Sequence, residues 1–148
     1  METKNKDIRS RCERNNNPLN IIKTKSKWLG LKPEWECTDS RFCEFTDPVY
    51  GFRAALLLIK SYITKYHCNT IWDIVHRWCP DGTADMYAHY VAKHSGVKVR
   101  QELKWSEESY SELSCIVYSM ARMEGYSLKS SDITYEEITK AWQMIWKK

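Results

Sequence analysis

The residues with the most chemistry to offer gather in the N-terminal third of the 148-residue chain. Glu13, Glu34, Glu36, Asp39, Glu44 and Asp47 supply carboxylates, Asn15, Asn16, Asn17 and Asn20 supply amides, and Trp28, Trp35 and Tyr50 supply rings. Acids near rings and amides suit glycoside cleavage: one carboxyl protonates the leaving oxygen, a second often assists, and rings and amides hold the sugars. Glu13 and Glu44 are the candidate general acids and Asp39 the candidate second carboxylate. Glu13 stands just before the amide run. Glu44 lies between Cys43 and Phe45 in an alternating segment, where burial against a ring would raise its pKa. Asn16, Asn17 and Asn20 are expected to shape the subsites, and Trp28, Trp35 and Tyr50 to line the groove. Taken singly, each acid is more often a surface charge or a cap than a catalyst. The amides of Arg14-Asn15-Asn16-Asn17-Pro18 more often lock a turn by bonding backbone than touch a ligand.

Other chemistries lack their usual signatures. The sequence holds no G-x-x-x-x-G-K-[ST], no G-x-S-x-G and no G-x-G-x-x-G, so the common phosphate, serine-nucleophile and dinucleotide sites are not expected. None of the 6 cysteines falls in a C-x-x-C pair, and the 4 histidines show no metal-ligand spacing. No metal or cofactor is therefore expected. Cys37 and Cys43 flank a short loop, but without an export signal reduced thiols are the expectation.

Charge is uneven. Residues 1–32 carry 9 Lys/Arg against 3 Asp/Glu, whereas the rest carries 14 against 16. Residues 1–11 read as a basic, flexible arm, attractive to polyanions or simply a solvated terminus. Nucleic acid is not an expected partner, because the tightest cluster, Lys23, Lys25 and Lys27, lies in a loop rather than on a recognition helix. No apolar run reaches membrane-spanning length, and the N-terminus has no signal-peptide core. Synthesis in a cytoplasm without a signal peptide is the expectation.

The elements that must position these groups are helices. With only 5 Gly and 4 Pro, an all-β chain rich in turns is disfavoured. Phe52, Ala55, Leu56, Ile59 and Ile63 repeat at helical spacing over 51–66, and Leu57, Leu58 and Tyr62 make that helix apolar nearly all round, hence central. Thr70 and Thr83 are expected to cap the next two helices, with Ile71, Ile74, Val75 and Trp78, then Met86, Tyr87, Tyr90 and Val91, facing inward. Ser106 is expected to cap a fourth helix that ends at Gly125. Thr134 with Glu137 reads as a capping box for the last. Arg53, on the first turn of the central helix, is expected to be structural and to bond Asp47 and the carbonyls of the 15–20 turn. Residues 28–45 read as a packed loop region with a short hairpin near 36–45.

The ordered motifs carry a resemblance. Arg14 to Ile21 (R-N-N-N-P-x-N-I), Trp28 to Leu31 (W-x-G-L), Arg41 to Ala54 (R-F-x-x-F-x-D-P-x-Y-G-x-R-A), Asn69 to Pro80, and the Tyr-rich helix from Tyr87 to Val97 together resemble a phage and prophage family labelled virion structural protein. That family in turn is similar to the lysozyme-like superfamily of glucosaminidases and transglycosylases. The resemblance implies a single, small all-α lysozyme-like domain over 1–148 with an irregular N-terminal third. It implies that the chain binds, and with a competent acid cleaves, the glycan strand of bacterial peptidoglycan, at the cell wall or in the virion. The alternative on the same fold is a non-catalytic virion structural or cell-wall-binding protein, with other virion proteins as partners.

Overall fold

A computed structural model describes residues 7–147, and among them every regular element is helical. Six α-helices follow in order: α1 (Arg11–Arg14), α2 (Pro48–Thr64), α3 (Ile71–Trp78), α4 (Ala84–Ser95), α5 (Tyr110–Glu124) and α6 (Ser131–Trp146). Residues 1–6 of the basic arm lie outside the described part. The expected hairpin near 36–45 is absent. In its place two isolated antiparallel bridges, Ile22 with Phe42 and Leu31 with Phe45, tie the irregular third into a layer of loops.

The central helix reads as expected, and it begins earlier. Asp47 caps it through the Val49 N–H at 2.9 Å, and Pro48 fills its first position, where a missing N–H costs nothing. Leu56 and Ile59 are fully buried. The helix packs along α6, while α4 packs along α5 and α3 against α4. One hydrophobic core runs from Cys12 and Leu19 through Phe52 to Trp142.

Several expected helix starts move. Thr70 caps α3 through the Asp73 N–H. Thr83 makes no capping bond to α4; its hydroxyl is drawn instead to Asp81 Oδ1. Ser106 leads only a 3-10 turn, and α5 proper starts at Tyr110. Ser130, not Thr134, caps α6, so Thr134 sits inside the helix with its hydroxyl bonded back to Ser130 O. A Thr inside a helix has that bond available four residues back, so the residue pattern alone did not distinguish the two starts. Met86, expected inward, is 60% exposed.

The 15–20 turn is held by α2. Gly51 faces it so closely that a Cβ there would clash with Asn16 O and stand 2.7 Å from Pro18 Cδ. Only glycine admits this approach of helix to turn.

Candidate functional site

Glu13 is the second-to-last residue of α1, and its carboxylate is consumed by capping. Oε1 accepts from the Ser10 N–H at 2.7 Å and the Ser10 hydroxyl at 2.9 Å. Oε2 accepts from the Ser127 and Leu128 N–H groups at 3.0 and 2.8 Å. Partial burial acts to raise its pKa, but the donated backbone hydrogen bonds outweigh it and hold the carboxyl below its ordinary value. A general acid at neutral pH needs the opposite.

Asp39 and Glu44 do come together, in a polar depression lined by Arg9, Arg11, Arg14, Asn15 and Lys32. Asp39 receives Arg11 through a bidentate pair at 2.7 and 2.8 Å, Asn15 Nδ2 at 2.8 Å, and the Arg41 and Phe42 N–H groups, both at 2.9 Å. The Arg11 guanidinium, with these donors, holds its carboxyl far below the carboxylate range. Glu44 is buried and folds the 38–44 loop, accepting from the Thr38 and Asp39 N–H groups at 2.7 and 2.9 Å. These acids organise loops.

The amides divide. Asn17 is fully buried: its Nδ2 donates to Ile21 O and Cys43 O, and its Oδ1 accepts from the Ile21 N–H. Asn16 donates to Phe45 O. Both lock the turn. Asn20 differs. It adopts a left-handed φ of 53°, donates to Glu124 Oε1 at 2.8 Å, and leaves its enclosed Oδ1 without a partner among the described residues.

The rings divide as well. Trp35 is 83% exposed on a 3-10 turn, and Tyr50 packs over Gly30 against the core edge. Trp28 instead lines a groove of about 460 Å³ with Asn20, Leu58, Tyr62, Arg77 and Trp78. This groove runs along the later turns of α2 beside the end of α3, and neither Trp35 nor Tyr50, both expected to line a groove with Trp28, lines it. Tyr62 and Trp78 meet edge-on at 6.0 Å, and Arg77 stacks 5.1 Å over Tyr62 and 3.9 Å over Tyr66. Trp78 Nε1 donates to Leu19 O, tying α3 to the asparagine turn, while the enclosed Trp28 Nε1 has no partner among the described residues. Arg53 makes no hydrogen bond to Asp47 or the turn carbonyls; its Nε is enclosed and unpartnered among the described residues, and Asp47 is spent on its cap.

No family model matches the chain. Over 133 residues it is 34% identical to Protein P5 of Pseudoalteromonas phage PM2, covering 88% of this chain and 78% of that protein. The chain belongs to the phage Protein P5 family. That membership agrees with the phage resemblance carried by the ordered motifs. Among the described residues, no helix of this P5-family chain is long and apolar enough to cross a membrane.

The most unusual carboxyl in this P5-family fold is one that the sequence reading passed over. Glu124 is the last residue of α5, next to Gly125, whose φ of 107° ends the helix. Its Oε1 accepts from Asn20 Nδ2 and its Oε2 from the Tyr87 hydroxyl at 2.9 Å. No Lys, Arg or His ion pair reaches it among the described residues. Burial pushes the carboxyl above its ordinary value, although the Asn20 and Tyr87 bonds pull the other way. The negative end of the helix dipole disfavours its charge further. The available signal was an acid at the C-terminal end of a helix, where a cation is the favourable choice.

Proposed function

We propose that this protein is a virion component of a phage or prophage that binds the glycan strand of bacterial peptidoglycan in the Trp28–Tyr62–Trp78 groove. The observation that carries this reading is the groove itself: three rings beside the Asn20 amide and a stacked guanidinium. Sugar rings offer apolar C–H faces to aromatic surfaces and hydroxyl and acetamido groups to amides. A mostly apolar cleft with a few placed polar groups is the usual form of such a site. Arg77 offers donors to acetamido carbonyls or stem-peptide carboxylates. Membership of a phage family supports a place in the particle, with other virion proteins as partners, and action at the cell wall.

Nucleic acid is less well supported, because several basic residues among the described part of the N-terminal third are paired with acids. Arg9 pairs with Asp7, Arg11 with Asp39, and Lys23 with Glu34.

The test is co-sedimentation with purified Gram-negative sacculi, together with tryptophan fluorescence titration by a chitooligosaccharide. The expected result is saturable binding that Arg77→Ala and Trp28→Ala each weaken by about tenfold, roughly 1.4 kcal/mol. Absence of both sedimentation and a fluorescence change overturns the reading. A gel shift with DNA that falls steeply with salt would replace it by a polyanion site.

A further inference from the structure

We propose that Trp35 of one copy of this chain docks in the Trp28–Tyr62–Trp78 groove of a second copy, with Glu34 and Glu36 meeting the cations at the groove's edge. The pairing needs the groove's shape and charge, not its glycan role. The inserted knob is preformed. Pro33 enters a 3-10 turn with a φ of −56°, and the Glu36 and Cys37 N–H groups donate to Pro33 O and Glu34 O at 2.9 and 3.0 Å. Just before it, the Lys32 N–H donates to Glu44 O at 2.9 Å, and the Leu31–Phe45 bridge ties the segment to the loop layer. This mounting holds the indole out of the fold: Trp35 is 83% exposed and does not line its own chain's groove. A rigidly mounted Trp loses little freedom on docking, and Trp is among the residues that dominate interface energies.

The charges are complementary. Trp35 stands between two exposed carboxylates, Glu34 and Glu36. Glu34 reaches Lys23 at 3.5 Å, yet its side chain stays 88% exposed, so this surface pair holds it weakly. The groove is lined by no acid, and Arg77 is its single charged lining residue. Arg77 has no ion pair among the described residues; its guanidinium is held by stacking over Tyr62 and Tyr66. Lys65, 5.9 Å over the Tyr66 ring, adds a second cation at the same edge. An acidic knob therefore meets a basic edge, which favours this pairing over knob with knob or groove with groove.

The shapes agree as well. At about 460 Å³ the groove has room for one indole, and Trp28, Tyr62 and Trp78 offer it ring edges and faces. Its surroundings are apolar where a partner would close over them: Ile22, a lining residue, is 50% exposed, and Tyr66, under Arg77, is 45% exposed. Knob and groove are different patches of one chain. One contact thus leaves each copy with an open site, and association runs on to a ring or a chain unless two copies exchange knobs.

The experiment is sedimentation velocity of the full chain over a concentration series reaching about 1 mM, where even weak pairing registers. The wild type should sediment faster as concentration rises. Trp35→Ala and Arg77→Glu should each weaken association by about tenfold or more, with melting behaviour retained by Trp35→Ala. Mixed together, the two variants should associate again, because one brings an intact groove and the other an intact knob. A wild type that stays monomeric throughout overturns the inference. So does association of Trp35→Ala at the wild-type level, or a mixture of folded variants that stays apart. Should Arg77→Glu fail to fold, the exposed pair Glu34→Lys with Glu36→Lys decides: it should lose association while keeping Trp35, and wild-type association by it overturns the charge pairing.

Discussion

The Asn20 side-chain amide donates to Glu124 Oε1 at 2.8 Å, joining the asparagine turn to the end of α5 across 104 residues of chain. Two backbone conformations enforce this meeting. Asn20 turns with a left-handed φ of 53°, and Gly125 ends α5 with a φ of 107°. The bond places a carboxyl with a raised pKa one contact from the groove.

That carboxyl sets the first prediction. Glu124 titrates higher folded than unfolded, so its contribution to stability is full below its unfolded value near pH 4 and is lost as pH rises through the folded value. Glu124→Gln removes the loss. Melting curves across pH 4–8 should show the variant matching wild type at the acid end and equalling or exceeding it at pH 7. A variant that is less stable at pH 7 than at pH 4, relative to wild type, contradicts the raised pKa of Glu124.

Glu13 and Asp39 carry the opposite sign. Both are held below their ordinary values, so the stability they add is present above their unfolded values and falls away as pH drops through the folded ones. Wild type should lose stability on acidification below about pH 4. Glu13→Gln and Asp39→Asn should each be less stable at pH 7 and show a shallower acid decline in the same melts.

Gly51→Ala should destabilise the chain by roughly 1–3 kcal/mol. Its added Cβ meets the Asn16 carbonyl and stands 2.7 Å from Pro18 Cδ, and backbone and a proline ring yield little. Denaturant titration measures the loss. Because α2 then shifts off the turn, chitooligosaccharide affinity should fall as well.

Asn17→Ala leaves three buried backbone groups, Ile21 O, Cys43 O and the Ile21 N–H, without their side-chain partner. At roughly 1–3 kcal/mol for an unsatisfied buried group, the variant should be among the least stable single substitutions in the irregular third. Asn17→Asp should not rescue it, since a carboxylate would face two carbonyls.

Ile59→Ala, at a fully buried position of α2, should cost roughly 2–5 kcal/mol without altering groove residues. Equilibrium unfolding and sacculus binding measured together separate that global effect from a local one.

The helices and their inward faces were legible in the sequence because periodicity is local: Leu56, Ile59, Ile71, Ile74 and Val75 are all fully buried where spacing put them. The asparagine turn was legible for the same reason, since three amides before Pro18 have few other conformations. Helix starts were less so, because Ser130 and Thr134 differ only in which hydroxyl meets an N–H. Where the groove lies, and that the pKa of Glu124 is raised while that of Glu13 is lowered, were decided by tertiary structure alone. Glu13 and Glu124 are the same residue type, yet one meets four donors and the other only Asn20 and Tyr87, far away in sequence. A carboxyl's pKa depends on burial, nearby dipoles and partners in space, and these are set when α4, α5 and the 15–20 turn close on one another.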